Sequence, residues 1–88
     1  SAGCVLAARL SEDPSVRVVL LEAGGDDRPG KEKGQFLSNL WIHVPIGYSQ
    51  TLKDPKVNWL YQTEPDPGTG GRQHVWPRGK VLGGSSSI

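Results

Sequence analysis

The run Trp76-Pro77-Arg78-Gly79-Lys80-Val81-Leu82-Gly83-Gly84-Ser85-Ser86-Ser87-Ile88 gathers two cations, three glycines and three hydroxyls into a short stretch. Arg78 and Lys80 can meet negative charge. Gly79, Gly83 and Gly84 lack the side chains that would hold a ligand away from the main chain. Such an inventory suits a flat, anionic ligand laid against backbone.

A second set of residues supplies the other half of a nucleotide site. A strand-helix-strand dinucleotide unit carries G-x-G-x-x-G at its first turn and an acid about 20 residues later, at the end of its second strand, to bond the adenosine ribose. Ser1-Ala2-Gly3 fits the last three places, and Glu22 follows Gly3 by 19 residues. The first strand and first two glycines would then precede residue 1, so the chain reads as a piece of a longer one. A plainer reading stands beside this: Gly3 as a packing glycine and Glu22 as a solvated strand end.

The elements that must position these residues are legible in outline. Residues 1–10 begin with small side chains and carry apolar ones at 5, 6 and 10, the pattern of a closely packed amphipathic helix. Its Arg9, with Glu12 and Asp13 just beyond, reads as solvated, and Cys4 as a small buried residue. Arg17-Val18-Val19-Leu20-Leu21-Glu22 is a continuous apolar run closed by an acid, suited to a buried parallel strand. Residues 24–34 form a glycine- and charge-rich loop in which Asp26 and Asp27 are expected to be solvated. Phe36, Leu37, Leu40, Trp41 and Val44 recur at helical spacing until Pro45, and 46–52 fit one more helical turn. Val57 to Thr63 alternates as a strand does, and Arg72 to Trp76 can pair with it as a hairpin across Glu64-Pro65-Asp66-Pro67-Gly68. Trp59, Tyr61 and Trp76 would then be either core or a flat aromatic surface.

Other chemistries are not supported. His74 and Val81 occupy the first glycine and the hydroxyl places of a phosphate-binding loop ending at Gly79-Lys80. Ser87 stands where a nucleophile elbow needs its second glycine. His43 and His74 have no acid or Cys at ligand spacing, so no metal site is read, and each is expected on the surface or hydrogen-bonded. A net charge of +1 gives no pull towards nucleic acid or anionic membrane, and no basic-aromatic stripe of nucleic-acid type occurs. No apolar run is long enough for a membrane span, and no targeting peptide is read. The lone Cys4 leaves the redox compartment open; a bacterial source would make the cytoplasm the expected location. Twelve glycines and seven prolines in 88 residues point to many irregular connections.

Ser1-Ala2-Gly3, Leu21-Glu22-Ala23-Gly24, the strand Asn58 to Pro65 and the run Pro77 to Ile88 together resemble the N-terminal flavin-binding part of the glucose-methanol-choline (GMC) oxidoreductases, most of all the bacterial alcohol and choline dehydrogenase-like branch. The resemblance covers essentially the whole chain, and Gly79-Lys80-Val81-Leu82-Gly83-Gly84-Ser85-Ser86-Ser87-Ile88 matches a family signature. It implies an α/β fold: an incomplete Rossmann-like, GMC-type FAD-binding domain over residues 1–88, lacking its first strand and the substrate domain, with a β-hairpin and a glycine-rich flavin-binding run. It also implies non-covalent FAD, since covalent members carry His where this chain has Ile88, and an alcohol oxidised by hydride transfer to flavin in the full-length protein. Ser1 and Ala2 would meet the pyrophosphate with Gly3 letting the helix start close to it. Glu22 would bond the ribose, with Ala23 beside the adenine. Gly79, Lys80, Val81, Leu82, Gly83 and Ser85 would line the flavin and its pyrophosphate, and Trp59 would cover it. The family's catalytic His lies outside these residues, so no catalytic residue is assigned, and neither is an electron acceptor. A flavin-containing hydroxynitrile lyase and a non-catalytic nucleotide-binding module are the alternatives.

Overall fold

The computed structural model describes residues 1–31 and 34–88. Helix α1 spans Ala2–Leu10 with Ser1 as its N-cap, as the small-then-apolar pattern predicts. Ser11 closes it, its N–H donating to the Ala7 carbonyl and its hydroxyl to that of Ala8. Arg9 pairs with Glu12 at 2.7 Å on the exposed face, where an ion pair contributes little.

Residues 17–22 depart from expectation. They belong to no strand and have no ladder partner among the described residues; Val19 and Leu21 are 76% and 88% exposed. An apolar run becomes a buried parallel strand only when other strands cover its edges and helices its faces. Parallel pairing here amounts to one bridge, Gly25 with Val81, so the described residues build no Rossmann-like sheet. The uncovered face also leaves Cys4 exposed on α1 rather than buried.

Helix α2 spans Phe36–His43, a 3-10 turn follows over Pro45–Gly47, and α3 takes Tyr48–Thr51, as the spacing up to and past Pro45 predicts. The face that α2 buries is polar: Ser38 and Asn39 are covered while Phe36 and Leu37 stand mostly exposed. The reason lies in the loop beneath it, whose carbonyls need donors. Within that loop Asp26 is not simply solvated. Its carboxylate grips the Arg28 guanidinium and accepts the Arg28 N–H at 2.9 Å, which holds it well below the usual carboxylate range. Of the charged loop 24–34, Glu32 and Lys33 lie outside the described residues.

The hairpin forms as expected in kind but is shorter. Strands β1 (Tyr61–Gln62) and β2 (Val75–Trp76) pair antiparallel, Tyr61 opposite Trp76 and Gln62 opposite Val75. Regular pairing stops at Leu60, whose φ of 55° is left-handed, a conformation unfavourable for a branched side chain. There Asn58 Oδ1 accepts from both Leu60 N and Arg78 N at 3.1 Å, taking the place of a ladder carbonyl. Beyond it, Trp59 N donates to Arg78 O and Lys80 N to Val57 O, so the hairpin continues irregularly into the glycine-rich run.

Val57 and Val81 are the only buried apolar side chains among the described residues. The radius of gyration is 16.0 Å, against about 12 Å for a compact chain of this length. Much apolar surface on α1, 17–22 and α2 is therefore uncovered, and the chain is held largely by polar contacts.

Candidate functional site

Three stretches distant in sequence fasten onto the glycine-rich run. Ser1 donates from its backbone nitrogen to Gly83 O at 2.7 Å, and its hydroxyl bonds Ser86 Oγ at 2.9 Å while accepting Ser86 N at 3.1 Å. Gly25 O accepts Leu82 N at 2.9 Å. Gly24 lies so close to the run that a Cβ on it would sit 2.0 Å from Lys80 O, an approach open to glycine alone. From the hairpin, Asn58 bridges Gly79.

Beside these ties lies an open cavity of about 210 Å³. Ser1, Gly3, Glu22, Leu82 and Gly83, all named from the sequence, line it together with Cys4, Leu20, Leu21 and Gly84. Whole small-molecule pockets run to roughly 300–1,000 Å³, so this space suits a ribose or phosphate group rather than a complete dinucleotide. Its donors and acceptors are of two kinds. At the start of α1, Cys4 N donates to Ser1 O at 3.2 Å, while the N–H groups of Ala2 and Gly3 have no acceptor among the described residues and carry the positive dipole end of the helix. Glu22 Oε1 accepts Gly24 N at 2.8 Å, which orients the carboxylate and leaves Oε2 without a partner among the described residues.

Ala2, Ala23, Trp59, Gly79, Lys80, Val81 and Ser85 do not line the cavity. Some are engaged within the chain itself. Val81 turns its side chain inward. Gly79 N donates to Ser85 Oγ at 2.9 Å, and a Cβ on Gly79 would meet the Gly84 backbone at 2.7 Å, so this glycine lets the run fold against itself. Trp59, by contrast, is 43% exposed; it stacks on Tyr61 with ring centres 6.0 Å apart, and Lys80 Nζ lies 5.0 Å from its ring. Arg78 lies over Trp76 at 5.4 Å. The hairpin rings thus form an aromatic surface rather than core, and among the described residues neither Arg78 nor Lys80 pairs with a carboxylate.

No protein-family model matches the chain. Over its full length it is 53% identical to the mitochondrial choline dehydrogenase of Mus musculus and 51% identical to an alcohol dehydrogenase [acceptor] of Pseudomonas putida. A GMC-type oxidoreductase of Mycobacterium bovis is 48% identical, again across the whole chain. Its homologues over the full length of the chain are GMC oxidoreductases. It spans 14% of the choline and alcohol dehydrogenases and 15% of the mycobacterial protein. The crystal structure of a pyridoxine 4-oxidase from Mesorbium loti superposes on this chain with a TM-score of 0.75 at 41% identity, covering the whole chain and 15% of that protein.

No group of three or more His, Cys, Asp and Glu could hold a metal among the described residues, and none of the described helices is long and apolar enough to cross a membrane. Sequence reasoning missed Cys4, Leu20 and Leu21 as cavity lining. All three were expected to be buried, a reading that assumed neighbours on faces that here stand open. It also gave Asn39 no role, and gave His43 none beyond a surface or hydrogen-bonded place.

Proposed function

We propose that this chain is the cofactor-holding segment of an FAD-dependent oxidoreductase acting on a CH–OH donor, with α1 and residues 17–22 as helix and second strand of a Rossmann-like unit. One observation carries the reading: residues from three separate stretches, Ser1 and Gly3, Glu22, and Leu82 and Gly83, line a single cavity. These are the pieces that the sequence assigns to the two ends of one dinucleotide.

The donor set fits that group. Unpaired N–H groups at the start of α1 suit a pyrophosphate. The oxygen of Glu22 left free by Gly24 suits ribose hydroxyls, with Ala23 beside the adenine. Leu82 and Gly83 offer main chain to the flavin end, where Gly79, Val81 and Ser85 hold the run's shape from within. Trp59 and Lys80 present a ring and a cation beside it. Bound FAD would supply the hydride acceptor; the chain's own residues bind and orient it. Ile88 carries no nucleophile for a flavin linkage, so retention is non-covalent.

The substrate class follows the relatives named for choline and alcohol oxidation, both similar to this chain to nearly the same degree. It is therefore an alcohol, with no finer choice supported. The lyase alternative draws no support from these names. The test is direct. Full-length protein should show flavin absorbance after purification, and acid precipitation should release the flavin into the supernatant as FAD. Flavin retained in the pellet would refute non-covalent binding, and protein purified without flavin that takes up no added FAD would refute the cofactor reading.

A further inference from the structure

The loop that carries Gly24 and Gly25 holds both arms of the candidate site, because it supports Glu22 on one side and the run 80–82 on the other. Among the described residues the loop has no ladder beyond the single Gly25–Val81 bridge. Past that bridge, residues 26–28 are held by α2. Asn39 is 1% exposed, and its amide Nδ2 donates to Asp26 O at 2.8 Å and to Arg28 O at 3.1 Å. His43, one turn further along the same helix face, has Nε2 2.9 Å from Asp27 O. A carbonyl oxygen only accepts, so this nitrogen carries the proton. The Asp27 carboxylate lies 3.7 Å from the same nitrogen. Two side chains on one helix thus latch three successive carbonyls, residues 26, 27 and 28.

A buried amide donor, that of Asn39, is spent here on the main chain of a half-buried loop, and Phe36 and Leu37 of the same helix stand outward. The Asn39 amide oxygen is itself buried with no partner among the described residues, so this side chain is placed for its donors and not for complete satisfaction of its own groups. The Asp26–Arg28 clamp stiffens the same three residues locally.

We propose that Asn39 and His43 are positioning residues for the cofactor: by latching residues 26–28 they set where Gly24–Gly25 lies, and through it the spacing between Glu22 and the glycine-rich run. Neither side chain touches the cavity; both act through the loop. The inference rests on the FAD reading given above.

Its test uses full-length protein stripped of flavin and retitrated with FAD, following flavin fluorescence for affinity and visible circular dichroism for flavin environment, with thermal unfolding of the apoprotein measured in parallel. Asn39→Asp keeps the side chain's shape but turns its donor into an acceptor facing two carbonyls. It should raise the FAD Kd about tenfold or more and alter the flavin dichroism. His43→Leu should raise the Kd several-fold, while His43→Gln, which keeps an N–H donor at similar reach, should restore it to near the wild-type value. A role in stability alone would lower the apoprotein's Tm and leave Kd and dichroism unchanged, and that result overturns the proposal. Should Asn39→Asp not accumulate as folded protein, the contrast between His43→Leu and His43→Gln decides: equal affinities overturn the latch. Wild-type protein that takes up no FAD would refute the cofactor reading and this inference with it, an outcome distinct from variants that bind as wild type does.

Discussion

Replacing Gly24 by alanine tests the contact on which the two arms of the site depend. The new methyl carbon would lie 2.0 Å from Lys80 O, 2.2 Å from Lys80 C and 2.5 Å from Val81 N, where ordinary contact begins at 3.4 Å. All three neighbours are backbone, so no side chain can swing away. The loop must recede by more than 1 Å, and the Leu82 N–Gly25 O bond, now 2.9 Å, is then stretched beyond hydrogen-bond length. Overpacking of this kind costs about 1–3 kcal/mol, and the lost bond adds about 0.5–1.5 kcal/mol. A displacement of that size across a binding site also weakens FAD, by roughly tenfold to a hundredfold when about 1.4–2.8 kcal/mol of binding is lost. The assay is chemical unfolding of full-length apoprotein together with FAD titration of protein stripped of flavin. Gly24→Ala protein with wild-type stability and wild-type Kd would refute both the contact and its part in the site.

Gly3 makes the complementary case: a Cβ there meets nothing within 4 Å. Gly3→Ala should leave apoprotein stability unchanged or raise it by up to about 1 kcal/mol, because Gly is disfavoured in a helix, yet weaken FAD if a pyrophosphate sits at the start of α1; unchanged FAD affinity would count against that placement. Glu22→Gln should raise the FAD Kd by losing a charge-assisted bond of about 1.5–3 kcal/mol, with titration of apoprotein as the measure and an unaltered Kd as the contrary result. Asp26 is held low chiefly by its side-chain bond to Arg28 and next by the Arg28 N–H. A depressed carboxylate contributes stability that is complete above its unfolded value, about 3.9, and is lost as pH falls towards the folded one. The Tm difference between wild type and Asp26→Asn should therefore stay constant from pH 7 to about pH 4.5 and narrow only below about pH 4; a gap that closes by pH 5 would contradict the clamp.

Local signals carried α1, α2 and the hairpin, because their causes lie within a few residues: apolar spacing up to Pro45, and alternation broken by Glu64-Pro65. Residues 17–22 show where such signals stop. Val18 to Leu21 read as a strand interior, but a strand exists through its neighbours, and none lies beside this run among the described residues. The same dependence misplaced Cys4. In the candidate site, residue identity indicated Glu22 and the glycines, yet not what each does: Gly24 was passed over although its missing Cβ admits Lys80, while Gly79 serves the run's own fold. Asn39 was invisible for a different reason. An amide on a helix becomes an anchor only when a loop from elsewhere lays its carbonyls against it, and no pattern within 36–43 records that.

The Gly24 contact also bears on motion. Where main chain rests on main chain there is nothing to rotate, so Glu22's loop and the run 80–82 move as a single stiff edge. On the opposite side, α1 meets that run through Ser1, by bonds to Gly83 and Ser86 that are exposed to solvent. Exposed bonds open readily. The cavity is thus walled on one side by main chain resting on main chain and on the other by the bonds of Ser1 to Gly83 and Ser86.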